Sequence, residues 1–256
     1  MKKSALFCLL FLAAFIALGA AQSRETLTLA AAGCQSLRIE CGAGDLKVQG
    51  DDKLERIEVD AVLHVRGLAD SELPEFKNDH VVLKLEKTGD RAVLIARIES
   101  EFTLGSLFGG HDAYIDLEVR LPRRLALAVD DGSGDTAIRL LDGGLELEDG
   151  SGDIKLDEIG GGVKIEDGSG DMLLTGLAGK VEIDDGSGDL VLKNAGGDVD
   201  IEDGSGEIRI FNVRGSLEID DGSGDIVIDG VEKDVTIDEA GSGAVEIRNV
   251  KGKVRK

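Results

Sequence analysis

Residues 131–135 read Asp-Gly-Ser-Gly-Asp, and this pentapeptide decides the fold because it returns along the chain at a constant spacing. It recurs at 149–153, 167–171, 185–189 and 221–225, and at 203–207 with Glu in the last place. Each copy begins 18 residues after the previous one. A short, fixed period is the sequence signature of a solenoid, in which every repeat forms one turn and stacks on its neighbours.

Apolar residues also hold fixed places within each 18-residue unit. In one unit they are Met172, Leu174, Leu177, Val181 and Ile183, and the neighbouring units carry Ile, Leu, Val or Ala at the same offsets. Alternation with a period of two is typical of a β-strand, and each unit contains two such stretches. The fold class predicted is therefore all-β: a parallel β-solenoid (β-helix) with 18-residue rungs and two short strands per rung. Helical solenoids need longer units and a period of 3.6 residues.

The first 21 residues predict a signal peptide. Lys2 and Lys3 precede an apolar run over residues 5–18, which is short for a membrane span, and small residues follow. Cleavage would leave a mature chain that begins at Gln22, exported to the periplasm or the cell surface. An uncleaved membrane anchor is the alternative. Because no later apolar stretch reaches spanning length, we expect no stable membrane span after cleavage.

The remaining chain divides into an N-terminal β domain over 22–130 and regular solenoid repeats over 131–256. Residues 41–45 match the pentapeptide, with Cys41 in place of its first Asp, and predict a degenerate first rung. A turn at 88–90 between alternating stretches predicts an antiparallel hairpin. Residues 67–80 and 99–112 are interpreted as loops. We expect the N-terminal domain to cap the edge of the array.

The composition limits the partners of this protein. The 256 residues carry a formal net charge of -22, and only 3% are aromatic. Such a chain repels nucleic acid and anionic lipid, and it attracts cations or basic partners. Two cysteines follow the signal segment, Cys34 and Cys41, which could pair in an oxidising compartment or remain free thiols.

Three acidic columns run along the pentapeptide turn. The first column is Asp130, Glu148, Glu166, Asp184, Glu202, Asp220 and Asp238; the second is Asp131, Asp149, Asp167, Asp185, Asp203 and Asp221, with Glu239 in the irregular last rung; the third is Asp135, Asp153, Asp171, Asp189, Glu207 and Asp225. The second column is Asp in every regular rung, which favours a side chain that caps its own turn. The other two columns are interpreted as surface charge.

The second column is also the candidate metal site. Like charges one rung apart repel by ~0.9 kcal/mol even in water, and divalent cations with oxygen ligands would relieve that repulsion. The sequence therefore allows a weak cation ladder on Asp131, Asp149, Asp167, Asp185, Asp203 and Asp221. A calcium-binding β-roll-like module is the corresponding alternative function, with Ca²⁺ as its ligand. No other cofactor is expected.

Catalytic signatures are scarce in this sequence. His64, His80 and His111 show no metal-ligand spacing, and no Gly-x-Ser-x-Gly elbow occurs. An active site needs one unique constellation, whereas the acidic turn recurs in every rung. We therefore predict that the protein is not an enzyme, with a glycan-acting solenoid enzyme as a third and remoter hypothesis.

The sequence resembles a known family over roughly residues 35–254. The resemblance is carried by Leu37–Val48 with its Gly-x-Gly-Asp-Leu turn, by Val119–Pro122, and by the Gly-Ser-Gly-Asp-Ile rungs that follow. It is similar to the exported bacterial putative-adhesin family built from β-strand repeats, a domain of unknown function. The resemblance implies a β-solenoid body and a role in the cell envelope or at the surface, and it supplies no catalytic residues.

These observations predict a non-catalytic envelope or surface protein, a structural or adhesin-like binding scaffold with an acidic face. The expected partner is an envelope or surface protein or a glycan, with divalent cations as further ligands. An apolar cluster between two strands supplies the candidate partner contacts, because exposed apolar clusters often mark interfaces. Its members are Phe102, Leu104, Leu107 and Phe108.

Overall fold

The computed structural model describes residues 20–99 and 112–256. The N-terminal part contains β1 (Ala20–Ala30), β2 (Ser36–Ala43), β3 (Leu46–Asp51), β4 (Arg56–Arg66), α1 (Leu73–His80), β5 (Val81–Thr88), β6 (Arg91–Ile98) and β7 (Asp112–Pro122). The repeats contain β8 (Ala126–Ser133), β9 (Thr136–Leu141), β10 (Leu145–Asp149), β11 (Ile154–Ile159), β12 (Val163–Asp167), β13 (Met172–Leu177), β14 (Val181–Asp185), β15 (Leu190–Ala195), β16 (Val199–Asp203), β17 (Ile208–Val213), β18 (Leu217–Asp221), β19 (Ile226–Val231), β20 (Val235–Ala240), β21 (Val245–Val250) and β22 (Val254–Arg255).

The repeats form two parallel sheets. Sheet A contains the odd-numbered strands from β9 to β21, and sheet B contains the even-numbered strands from β8 to β22. Partners across each regular ladder are 18 residues apart, as in Ile165 opposite Ile183. The alternating Ile, Leu, Val and Met side chains point inward and form one continuous buried core, which also takes in the apolar turn residue Leu177. The predicted parallel β-solenoid with two strands per rung is confirmed.

The predicted degenerate rung is also confirmed, but its place in the stack was not foreseen. Strand β2 pairs in parallel with both β6 and β8, and β3 pairs with both β7 and β9. Cys41 lies opposite Asp131, as the sequence match requires. The rung β2–β3 is therefore enclosed between a later rung, β6–β7, and the first regular one. Because β6–β7 lacks the pentapeptide, the sequence period gives no sign of this outer rung.

Antiparallel strands close the N-terminal end of both sheets. Strand β4 pairs with β7 and β1 pairs with β4 at the edge of sheet A, while β5 pairs with β6 at the edge of sheet B. The predicted hairpin around residues 88–90 is confirmed. The first two residues of β1, Ala20 and Ala21, precede the predicted cleavage point, so nine of the eleven residue pairs of β1 with β4 would remain in the mature chain.

One predicted loop is a helix. Residues 73–80 form α1, with a proline in its first turn and Leu73 buried. Pro74 is compatible with this helix, because proline suits the first helical turn, where its missing N–H has no helical partner to lose. The described part of the chain contains no helix that is long and apolar enough to cross a membrane.

The last rung shifts register by one residue. Ile219 pairs with Ile237, but Asp220 pairs with Glu239, and Asp221 pairs with Ala240. The extra residue is thus Asp238, which forms a bulge inside β20, so the sequence assignment of Asp238 to the first column and of Glu239 to the second was wrong. As a consequence Glu239 belongs to the first acidic column, and the second column ends at Ala240.

Candidate functional site: the acidic first corner

Each rung turns twice. We call the pentapeptide turn, from sheet B to sheet A, the first corner, and the turn from sheet A back to sheet B the second corner. In the first corner the second glycine of every pentapeptide has a positive φ, from +129° at Gly134 to +158° at Gly224. A Cβ added to Gly188 would lie 1.8 Å from the backbone oxygen of Gly170 in the preceding rung. Close stacking of identical corners therefore requires glycine there.

The second column points into the solenoid. Along β14 the side chains of Val181, Ile183 and Asp185 alternate onto the same inward side, and all six aspartates of the column are at most 6% exposed. One carboxylate oxygen of Asp185 accepts the backbone N–H of Ser187 at 3.0 Å. The same contact, at 2.9–3.1 Å, recurs at Asp149, Asp167, Asp203 and Asp221. The predicted capping role of this column is confirmed, because Asp has the reach to accept a bond two residues ahead.

The second oxygen of these carboxylates is left over. Among the described residues, no hydrogen-bond donor reaches Oδ2 of Asp149, Asp167, Asp185, Asp203 or Asp221, although each of these atoms is buried. In the first regular rung the hydroxyl of Thr136 donates to Oδ2 of Asp131 at 2.9 Å, and there Oδ1 lacks a partner. Buried polar atoms without partners are uncommon in folded proteins, and they point to an unmet need for a proton, a water or an ion.

Burial and stacking both disfavour the ionised form of the second column. Burial, followed by the charge of the neighbouring aspartates, raises the pKa of Asp149 and Asp185 to about 7. Burial raises the pKa of Asp203 to about 6, and it also raises the pKa values of Asp131, Asp167 and Asp221. Carboxylates one rung apart, ~4.8 Å, repel by about 3.5 kcal/mol at an effective dielectric constant of about 20. The summed repulsion in a fully charged column would thus exceed the roughly 5–15 kcal/mol by which a typical domain is stable.

Groups that do not ionise at neutral pH close the column at both ends. Cys41 lies beside Asp131, and burial together with the charge of that aspartate raises the pKa of its thiol, so the thiol stays neutral. Ala240 lies beside Asp221 at the other end. Cys41 and the buried Cys34 are both free thiols in the structure. The inward acid is therefore confined to six consecutive rungs.

The third column has a structural task that the sequence interpretation missed. The backbone N–H of Asp189 donates to Oδ1 of Asp171 at 3.0 Å, so this carboxylate caps the following rung. Equivalent bonds of 3.0–3.1 Å join Asp153 to Asp135, Asp171 to Asp153 and Glu207 to Asp189. Interpreting this column as surface charge alone was wrong, because one oxygen of each of these four carboxylates is engaged by the backbone.

The first column belongs to a wider acidic surface. Parallel strands in register bring the outward side chains of β10, β12, β14, β16 and β18 onto one flat side of sheet B. We call this surface the acidic face; its members are Glu146, Glu148, Lys164, Glu166, Glu182, Asp184, Asp200, Glu202, Glu218 and Asp220. Its one lysine, Lys164, pairs with Glu166. The acidic face thus presents nine carboxylates and one cation.

The outward side of sheet A has a different character. Equivalent positions on its successive strands hold Lys155, Leu173, Val191, Arg209 and Val227, a mixture of cations and aliphatic side chains. Leu173 is 37% exposed. A groove of about 620 Å³ runs along the adjoining second corner and is lined by glycine backbone and by amide side chains. The strong charge of the solenoid is therefore concentrated on one of its two sides.

The structure does not bring the histidines together. His64 lies 3.0 Å from Asp116 and stacks on Tyr114 at a ring distance of 4.6 Å, whereas His80 ends α1 beside Phe76. Within residues 20–99 and 112–256, no group of three or more His, Cys, Asp or Glu side chains is placed to hold a metal ion.

Several predicted site residues lie outside the described residues. They are His111 and the candidate partner contacts Phe102, Leu104, Leu107 and Phe108. The partner role of that apolar cluster stays a prediction. The weak cation ladder on the second column also stays a hypothesis, now with the added fact that its six carboxyls point inward.

Fold and site together define a parallel β-solenoid with an antiparallel N-terminal cap and one acidic edge. The model of the Toastrack DUF4097 family matches residues 77–249, about two thirds of the chain. The chain therefore belongs to this family, and the resemblance inferred from the sequence is confirmed.

Several solved structures are similar to this chain at low sequence identity. One is a "putative lipid binding protein" from Parabacteroides distasonis ATCC 8503, at 16% identity over 91% of this chain and 96% of that chain, with a TM-score of 0.43. A "putative adhesin" from Parabacteroides merdae ATCC 43184 has 14% identity over 92% and 95%, with a TM-score of 0.41. Another from Bacteroides fragilis NCTC 9343 has 11% identity over 91% and 96%, with a TM-score of 0.37. Curated protein sequences gave no match.

Proposed function

We propose that this protein is an exported, non-catalytic scaffold of the cell envelope, and that its acidic face binds a cationic partner. The observation that carries the proposal is the acidic face itself, in which five consecutive strands place nine carboxylates and one lysine on one side of a sheet. A surface of one charge sign raises the local concentration of oppositely charged partners and speeds their association.

The regular spacing of these charges favours an extended partner. Adjacent strands of a sheet lie ~4.8 Å apart, so the acidic face repeats its charges at that interval over five rungs. A polymer or a protein surface with several cationic groups would meet many carboxylates at once, and the contacts would add up. Divalent cations enter this proposal as loosely held counterions of the same surface.

The chemistry of the first corner supports a binding role rather than catalysis. Its second-column carboxylates are inward and its third-column carboxylates cap backbone N–H groups, so both are committed to the fold. The same arrangement repeats in every rung, whereas an active site needs one distinct set of groups. Export rests on the signal peptide predicted over residues 1–21.

The proposal is tested by neutralising part of the acidic face. The variant carries E182Q, D184N, D200N and E202Q, which removes four charges from two adjacent rungs. A matched control carries D157N, E158Q, D229N and E246Q, which removes four charges outside that surface. Each purified protein is immobilised and exposed to an envelope extract in low and in physiological salt, and the bound proteins and glycans are quantified.

We expect the control variant to bind the same amounts of protein and glycan as the wild type. The acidic-face variant should bind at least tenfold less. Raised salt should weaken the wild-type binding, because contacts between exposed charges are screened. Equal recovery by both four-fold variants would refute the acidic face as the binding surface. Thermal melting of each protein establishes that both variants are folded.

A further inference from the structure

The second column is a line of acids inside the solenoid rather than on its surface. Six aspartates follow one another at a spacing of one rung, each at most 6% exposed. One oxygen of most of them is used by a backbone N–H, and the other is buried without a partner. One oxygen that lacks a hydrogen-bond donor therefore recurs in each rung along the column.

The groups around the column do not supply a compensating cation. From β2 it faces the thiol of Cys41, and from β9 the hydroxyl of Thr136. The charged groups nearest to it on its own strands and corners are the first and third columns, which are acidic. Arg38 of β2 lies on the outer side, where it pairs with Glu40 and Asp130.

A metal ion fits this interior poorly. Calcium takes six to eight oxygen ligands and magnesium a near-ideal octahedron. Between two rungs of the column there are two unpartnered carboxylate oxygens, and the inward neighbours on the facing strands are apolar, as at Leu190 and Ile208. A proton needs only one carboxylate oxygen, and each rung of the column provides one that is buried and without a partner.

We propose that the second column is a proton-binding ladder, in which its aspartates hold protons on their unpartnered oxygens while the chain is folded. Each proton taken from water removes one buried charge. Alternate protonation of six aspartates would hold about three protons. The raised pKa values of Asp149, Asp185 and Asp203 agree with proton retention near neutrality.

The ladder adds a property to the proposed function and does not depend on it. Each held proton removes repulsion between carboxylates of successive rungs, so the folded rod is more stable in an acidic environment than in an alkaline one. The acidic face would still bind its partner if the ladder failed, and the ladder could operate in a protein with any partner.

The test counts the protons released when the full-length mature chain unfolds in guanidinium at pH 6 under weak buffering. Unfolded aspartates are ionised at that pH, so a folded ladder must release its protons on unfolding. We expect about three protons from the wild type and about one fewer from Asp185→Asn. The control Asp184→Asn changes the adjacent, exposed residue of the same strand and should release as many as the wild type.

Asp203→Asn serves as a second ladder variant in case Asp185→Asn folds poorly. Release of no protons by the wild type, or equal release by the ladder variants and the Asp184→Asn control, would overturn the proposal. Millimolar calcium provides the remaining arm at pH 8. If calcium raises the melting temperature of the wild type, and Asp185→Asn abolishes that rise while Asp184→Asn does not, the column is a metal site and the proton ladder is wrong.

Discussion

The two corners of each rung solve the same geometrical problem with very different freedom of sequence. The first corner keeps one pentapeptide through six rungs, whereas the second corner reads differently each time, as in residues 176–180 and 194–198. What the second corners share is one left-handed residue followed by one buried apolar residue, such as Gly176 and Leu177 or Asn194 and Ala195. Most of them also carry a glycine two positions later that leaves no room for a Cβ, as at Gly179 and Gly197, but Lys233 stands at that place in a later rung. Stacking in register therefore does not by itself require a repeated sequence.

The difference follows from the backbone region that each corner uses. Left-handed residues of the second corner have φ between +53° and +88°, which Asn adopts readily and which Leu140 and Glu158 also occupy here. The first corner needs φ values above +120°, which L side chains rarely adopt, and it leaves no room for a Cβ. The φ values of the first corner are open only to glycine, so its glycine repeats, whereas the left-handed position of the second corner accepts several residue types.

The largest expected difference between the two corners is in the stability lost when one side chain is added to each. Gly188→Ala in the first corner places a Cβ within 1.8 Å of Gly170 O at φ +147°. We expect it to cost about 3–5 kcal/mol of unfolding free energy, from backbone strain and overpacking together. Urea denaturation of the full-length mature chain measures the loss.

Gly176→Asn in the second corner is the matched control. Its φ is +70°, the nearest atom to an added Cβ would lie at 3.5 Å, and Asn194 and Asn212 hold the same place in the next two rungs. The expected change is within about 0.5 kcal/mol, as at tolerant surface positions. Comparable losses at the two sites would show that the corners do not differ as described.

Both corners could be located from the sequence because their period and their apolar offsets are visible in it. The inward direction of Asp185 was also available, since it continues the alternation of Val181 and Ile183. The sequence interpretation gave Asp185 a capping role in its turn, but it did not infer burial from this alternation, because a charged residue is usually solvated. At this position the alternation along the strand predicts the direction of the side chain better than the residue type does.

Other features depend on contacts between rungs that no local pattern encodes. The place of β2–β3 between β6–β7 and β8–β9 depends on pairing between segments about 50 to 90 residues apart. The capping bonds of the third column join a carboxylate to a backbone N–H in another rung. The shift at Asp238 is likewise decided by which carboxylate meets Asp220. Such contacts follow from the register, which becomes certain only once the stack is known.

The two corners should also differ in how they make stability depend on pH, because among the described residues only the first corner carries inward acids. The pKa values of about 7 at Asp149 and Asp185 and about 6 at Asp203 lie above those of unfolded aspartate, near 3.9. The folded chain then binds more protons than the unfolded chain, so stability falls as pH rises from about 4 to about 7 and levels off above that. We expect the mature chain to be more stable at pH 5 than at pH 8 by at least about 2 kcal/mol.

Urea denaturation in high salt separates this effect from repulsion among surface charges, which salt screens. Glu232→Gln, an exposed change at the second corner, should leave the difference between the two pH values intact. Asp198 has the opposite effect on the pH dependence of stability, because a hydrogen bond from the Ser216 N–H lowers its pKa. Its contribution to stability is lost only at lower pH. If the protein is as stable at pH 8 as at pH 5, or more stable, the inward column does not make stability depend on pH in this way.

The smallest expected effect concerns the one departure from Asp in the third column. Glu207 pairs with Arg209, and among the described residues it accepts no backbone N–H from the next rung, as Asp171 does from Asp189. Glu207→Asp shortens the side chain to the length that makes this bond elsewhere, so we expect a gain of about 0.5 kcal/mol, the low end for an exposed hydrogen bond. The reverse change, Asp189→Glu, should lose a similar amount.

Amide hydrogen exchange at residue 225 is the sharper measurement, because a new capping bond slows exchange there even if the global gain is small. Unchanged exchange in Glu207→Asp would mean that a carboxylate of either length serves this position. The second corner offers the comparison, since Asp198 and Asp234 accept the N–H of Ser216 and Lys253 while rungs with other residues at that place still stack. Capping by aspartate thus recurs in most first corners and in fewer second corners, and Glu207→Asp tests what the missing cap costs.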